Sequence, residues 1–105
     1  MSVEVTVSAD GQQATISVTG DFDFDLYDEF RAAYARTAGP GVHYRVDLTA
    51  TEHLDSSALG MLMLLREHAG EGIADIEIIG ASPGVRRFLD VANFTRLFTC
   101  DWDDS

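Results

Sequence analysis

Cysteine is nearly absent from this 105-residue chain, with Cys100 standing alone. A lone cysteine closes no intramolecular disulfide, so a core must hold the fold, and the chain suits a reducing cytosol. Asp101 and Asp103 beside it disfavour a thiolate, so Cys100 reads as a small, near-terminal apolar residue rather than a reactive nucleophile. Basic side chains are also scarce: 7 Lys and Arg face 18 Asp and Glu, a net charge of −11. That argues against non-specific nucleic-acid binding, which needs cations to neutralise phosphates, and against adhesion to anionic membranes. The longest apolar run, Met61 to Leu65, is far short of the roughly 20 residues that span a bilayer. The N-terminus lacks the basic and apolar regions of a signal peptide, so a cytoplasmic location is expected.

Metal and nucleotide motifs are missing as well. Asp21-x-Asp23-x-Asp25 has the spacing of a calcium loop, but Leu26 and Ala32 stand where such a loop needs glycine and glutamate. Phe22, Phe24, Leu26 and Phe30 in the same stretch look like packing residues. His43, His53 and His68 form no H-E-x-x-H pattern, and each lies near an element end or on a polar helix face. There is no G-x-x-x-x-G-K-[ST] loop. No cofactor and no metal are expected.

What is present is a small globular domain, 46% apolar and 24% charged. Val3, Val5 and Val7, then Ala14, Ile16 and Val18, alternate with polar residues around Asp10-Gly11, the pattern of a hairpin. After Gly20 the period becomes helical, with Leu26, Phe30, Ala33 and Tyr34 on one face, Asp23 or Asp25 as cap and Gly39-Pro40-Gly41 as stop. A third strand is expected near Tyr44–Leu48, and a helix from Ser56 to about Ala69, stopped by Gly70 and Gly72. Ile76, Ile78 and Ile79 mark a fourth strand. Ser82-Pro83 then starts a helix with Val85, Phe88, Leu89 and Ala92 on its apolar face, ended by Asn93. Leu97 and Phe98 return to the core, and Asp101 to Ser105 form a frayed acidic end. The expectation is one α/β domain over residues 1–105, its core over about 3–98 and its acidic end over 99–105. A single small mixed sheet of about four strands, in the order ββαβαβα, carries right-handed parallel crossovers.

The richest segment is Asp55-Ser56-Ser57-Ala58-Leu59-Gly60 running into Met61–Leu65. It reads as the start of a very apolar helix, where backbone N–H groups and the helix dipole favour negative charge. Local physics favours reading Ser56 as a plain capping residue, with a site for a phosphate as the alternative. A catalytic serine would want G-x-S-x-G around it and a base in reach. The flanks here are Leu54, Asp55 and Ala58, with only His53 nearby. Five consecutive apolar residues point all around a helix, so one stripe meets the sheet and another is left over for neighbouring elements or a partner. Ala58, Met61 and Leu65 form one stripe, and Leu59, Leu62, Met63 and Arg66 the other.

Together with Val46-Asp47-Leu48-Thr49, the Leu54–Gly60 segment resembles the hallmark of the STAS domain of anti-sigma factor antagonists. Gly20-Asp21-Phe22-Asp23 is similar to that family's G-E-L-D segment, and Ser82-Pro83-Gly84-Val85-Arg86-Arg87-Phe88-Leu89 resembles its S-P-x-V-R-x-x-L helix. The resemblance covers about residues 3–98. It implies the STAS fold and a phosphorylation switch at Ser56, with Asp23, Asp55 and Ser57 as its surroundings. It implies an anti-sigma-type serine kinase as the partner of the unphosphorylated form, so releasing a sigma factor or similar target. A metal-dependent serine phosphatase, in some systems carried by a response regulator, would reverse the modification. Asp21, Ala58, Met61 and Leu65 are the expected partner-binding residues. Ala58 replaces the family's usual glycine in D-S-S-G-L-G, which bears on how closely a partner approaches. Two rivals stay open: a non-switching STAS module serving a transporter, lipid system or small ligand, and a small serine hydrolase using Ser56 and His53.

Overall fold

A computed structural model describes residues 2–37, 41–70 and 76–101. Its strands are β1 (Ser2–Val7), β2 (Gln13–Phe22), β3 (His43–Asp47), β4 (Thr51–Leu54), β5 (Ile76–Ile79) and β6 (Thr99–Cys100). Its helices are α1 (Tyr27–Ala35), α2 (Ser56–Ala69) and α3 (Pro83–Val91). The sheet therefore has six strands rather than about four. Thr51–Leu54 carries a single aliphatic residue, so no alternation marks β4, and β6 is too short to leave a pattern. Glycine and proline stops at 39, 40 and 72, and the acidic end beyond residue 101, fall outside the described residues.

The hairpin is as the alternation implies, with β1 antiparallel to β2 and Val3, Val5 and Val7 opposite Val18, Ile16 and Ala14. All other pairings are parallel, and the order is β1-β2-β3-β5-β6 with β4 also on β2. Because β2, β3, β5 and β6 add in one direction, right-handed crossovers put all three helices on the same face. Burial agrees. Ala14, Ile16, Val18, Tyr44, Val46, Ile76 and Ile78 are buried, while Thr15, Ser17, Arg45, Asp47 and Glu77 point to the uncovered face. On that face Arg45 Nε approaches Glu77 Oε1 at 3.4 Å.

The ten-residue β2 is lined by two strands in turn. Residues 13–17 pair with β3, and residues 20–22, after an irregularity at Gly20/Asp21, pair with β4. Gly20 N donates to Ala50 O, and Thr51 Oγ1 donates to Val18 O at 2.7 Å, which stitches β4 on. Each helix then starts from a strand end. Asp23 caps a 3-10 turn (Phe24–Leu26) that leads into α1, so α1 proper begins later than the apolar period suggests. Ser82 caps α3 with Pro83 at its first position, and Asn93 (φ 63°) ends it.

At α2 the cap is Asp55, whose Oδ1 accepts from Ser57 N at 3.0 Å and Ala58 N at 3.4 Å. Gly70 closes the helix in the left-handed conformation (φ 98°). The inward stripe is Ala58, Met61, Leu62, Leu65 and Ala69, all buried at i, i+3, i+4, i+7 and i+11. Ala58 and Leu65, expected to meet a partner, are turned to the sheet, and Met61 reaches only the edge of the groove beside α2. All three are at most 3% exposed, because the face of α2 on the sheet needs the longest apolar ladder. Val85 and Leu89 anchor α3, and Phe98 is buried, whereas Phe24 (66% exposed) and Phe88 (37%) are not core residues.

Two stability outcomes are expected. Gly80 has φ 73°, and a Cβ there would lie 2.0 Å from Thr49 Oγ1. Gly80→Ala should lower stability by about 1–3 kcal/mol in urea unfolding, since it adds left-handed strain to a clash. Asp55→Ala should cost about 1 kcal/mol through the lost cap. The hydrogen bond from the Ser57 hydroxyl, with those from the Ser57 and Ala58 amides, holds the Asp55 carboxyl below its ordinary value. A carboxyl lowered by folding stabilises the fold above its unfolded pKa of about 3.9. The gap between wild type and Asp55→Ala in thermal melts should be full at neutral pH. It should close as pH falls below about 4 and through the folded value, with its size kept small by solvent screening.

Candidate functional site

The parallel register of β2 and β4 sets Asp21 opposite His53 and Phe22 opposite Leu54. The chains leave the sheet side by side at Asp23 and Asp55, and each caps its own helical segment. Between them is an open pocket of about 260 Å³ lined by Asp21, Phe22, Asp23, His53, Leu54 and Asp55. His53 Nδ1 lies 3.2 Å from Asp21 Oδ1, with both side chains exposed. Two of the three carboxylates of the calcium-like spacing are engaged locally: Asp21 with His53, and Asp23 as acceptor from Asp25 N. No group of three or more ligating side chains converges among the described residues.

Ser56 occupies the first position of α2, after its cap, and is exposed. The two serines differ. Ser57 Oγ donates to Asp55 Oδ1, and Ser57 is half-buried. The Ser56 hydroxyl has no hydrogen-bond partner among the described residues, and His53 is turned to Asp21. Capping is thus carried by Asp55, and Ser56 is left projecting into solvent at the positive end of a 14-residue helix.

Two apolar grooves flank the exposed side of α2. One, of about 400 Å³, lies toward the α1 side and is lined by Phe24, Tyr27, Ser57, Gly60, Met61 and Leu64. The other, of about 380 Å³, lies toward α3 and is lined by Leu59, Gly84, Arg87, Phe88, Val91 and Ala92. Phe24, Leu64, Phe88 and Val91 are exposed large apolar residues. Sequence reasoning missed these surface residues, though the signal was available. Once Ala58, Leu62 and Leu65 face inward, Gly60 and Leu64 must face out. Gly60 also stands in the helix interior, where glycine costs about 1 kcal/mol relative to alanine.

The three clusters of histidine-bearing contacts are separate. His43 lies 3.8 Å from Glu77 on the open sheet face. His68 packs against Tyr34 and Tyr44, and its Nε2 lies 3.1 Å from Thr37 O. Cys100 is buried in β6. No helix among the described residues is long and apolar enough to cross a membrane.

The family model described as "Mlab, STAS domain" matches residues 5–99. A STAS-domain containing protein of Pseudomonas aeruginosa (strain UCBPP-PA14) is 49% identical over 98 residues, covering 93% of this chain and 97% of that one. Among solved structures, an anti-sigma factor antagonist from Mycobacterium paratuberculosis superposes with a TM-score of 0.72 at 21% identity. It covers 98% of this chain and 88% of its own. The phosphorylated form of the Bacillus cell fate determinant SpoIIAA superposes with a TM-score of 0.69 at 13% identity, over 98% of this chain and 94% of that one. These two are likenesses of fold. With a family model over nearly its whole length and a full-length relative at about half identity, this chain belongs to the STAS-domain family.

Proposed function

We propose that this protein is a regulatory binding module of the anti-sigma factor antagonist kind, switched by phosphorylation of Ser56. The observation that carries the reading is the difference between its two adjacent serines. Ser57 is tied to the helix cap, whereas Ser56 is exposed and free of hydrogen bonds among the described residues. A kinase can reach the Ser56 hydroxyl without unpicking any contact that folds the chain. Solved structures of similar fold include an anti-sigma factor antagonist and a protein recorded in a phosphorylated form.

The physical consequence of phosphorylation follows from the surroundings. A phosphate brings about −1.5 to −2 charges at neutral pH. The positive end of the α2 dipole favours it, so the fold tolerates it. Asp23 and Asp55 keep the local field negative, so the phosphate stays solvated rather than paired. A partner covering the apolar surface beside Ser56 would have to strip water from that charge without offering compensation, which is costly. The unphosphorylated form therefore binds, and the phosphorylated form does not. In this reading the partner is a serine kinase of the anti-sigma type acting in the cytoplasm. A metal-dependent serine phosphatase, in one arrangement part of a response regulator, returns the protein to its binding state. Asp21, exposed at the rim of the acidic pocket, stays among the residues that meet the partner.

Binding to the cognate serine kinase tests this. Wild type and Ser56→Ala should bind alike, and Ser56→Asp should bind at least about ten-fold more weakly, a loss of about 1.4 kcal/mol. All three should share one urea midpoint. Equal affinity of all three contradicts the switch, and a matching loss with Ser57→Asp but not Ser56→Asp would move the site to Ser57.

A further inference from the structure

We infer that the groove on the α1 side of α2 is the docking site for an amphipathic helix of the regulator, apolar on one side and rich in Arg or Lys on the other. The inference deepens the proposed function, resting on the reading that the unphosphorylated form binds a protein partner, and it names the surface and the chemistry of what binds.

The first support is Gly60. It lies inside α2, where glycine is a poor helix former, and a Cβ there would meet nothing within 4 Å. Its φ is not left-handed, since it is absent from the positive-φ residues. Neither backbone conformation nor internal packing therefore calls for glycine. A bare backbone on an exposed helix face is what close approach by another helix requires. Ser57, Gly60, Met61 and Leu64 form an i, i+3, i+4, i+7 ladder along the groove, about 10 Å or two turns long. Phe24 and Tyr27, stacked at 5.3 Å between ring centroids, form the opposite wall. That is the shape and length of a helix-in-groove contact.

The second support is charge. Residues 1–30 and 46–65 contain no Arg or Lys. They supply the ends of β2 and β4, the turn before α1 and the start of α2, with Asp21, Asp23, Asp25, Asp28, Glu29, Glu52 and Asp55 among them. Asp25 and Asp28 flank Phe24 and Tyr27 along the wall, and Asp23 and Asp55 cap the two segments at the mouth. An apolar groove whose surround is mostly acidic, with Arg31 one turn beyond Tyr27 on α1, favours a cationic partner over an acidic one. The groove toward α3 differs, because Arg87 lines it. Ser56 stands one helical turn before Gly60 on the same exposed side of α2, so a phosphate there sits at the entrance of the docking groove.

The test uses the whole protein and a fluorescein-labelled 16-residue helical peptide with leucines on one face and arginines on the other, read by fluorescence anisotropy. A control peptide carries glutamates in place of the arginines. Gly60→Leu fills the groove without changing charge and improves helix propensity, so its urea midpoint should equal or exceed that of wild type. The arginine peptide should bind wild type, bind Gly60→Leu and Phe24→Ala at least five-fold more weakly, and lose affinity as salt rises. The glutamate peptide should not bind. Equal binding of the arginine peptide to wild type and Gly60→Leu overturns the groove, as does equal binding of the two peptides. A concentration-dependent dimer in sedimentation that Gly60→Leu abolishes also overturns it, since the occupant would then be a second copy. The same variants against the cognate kinase separate the two claims. Loss with Ser56→Asp but not Gly60→Leu keeps the switch and overturns the groove, whereas loss with Gly60→Leu alone supports the groove and removes the switch.

Discussion

The pairing of β2 with β4 is the contact on which the rest of this molecule depends. β2 is long enough to serve two neighbours in turn, β3 along its first half and β4 along its end. The β4 pairing brings two strand ends out of the sheet in register, at Asp23 and Asp55, and each aspartate caps the helical segment that follows. The acidic pocket, the start of α1 and the start of α2 therefore share one corner of the fold. A one-residue slip of β4 would exchange its inward and outward side chains and misplace the α2 start. Thr51, buried at 3% exposure with its hydroxyl on Val18 O, guards against that slip.

Division of labour at the start of α2 underlies the function proposed for this corner. Asp55 satisfies the first amides and engages Ser57, which leaves Ser56 with no structural duty among the described residues. A residue without a folding role is free to be modified, and one at a helix N-terminus beside apolar surface is placed for its modification to be felt by a partner. In the proposed switch the fold would be insulated, because the core of α2 faces the sheet while the groove residues Gly60 and Leu64 face away.

Much of this was legible in the residues. Alternation marked β1 and β2, the Ser82-Pro83 start of α3 was plain, and Gly70 ended α2 where expected. The strand that organises the site was not legible, because Thr51–Leu54 is held by backbone pairing and one threonine hydroxyl rather than by an apolar pattern. The orientation of α2 was also hidden. Met61 to Leu65 are apolar all round, and only the sheet beneath decides that Met61, Leu62 and Leu65 go in while Leu64 stays out. Phe24 misled for a related reason: an aromatic residue in an apolar stretch reads as core, but the 3-10 turn capped by Asp23 rotates it to the surface. Ser56 was singled out by its motif, and what the structure adds is the contrast with Ser57.

Site localisation of the phosphate is the most direct measurement of the central claim. Protein isolated from its native host across growth conditions, digested and sequenced by tandem mass spectrometry, should show in at least one condition a single phosphate on Ser56, with Ser57 unmodified. A phosphate on Ser57, or a chain that never carries phosphate in any condition, would contradict the account.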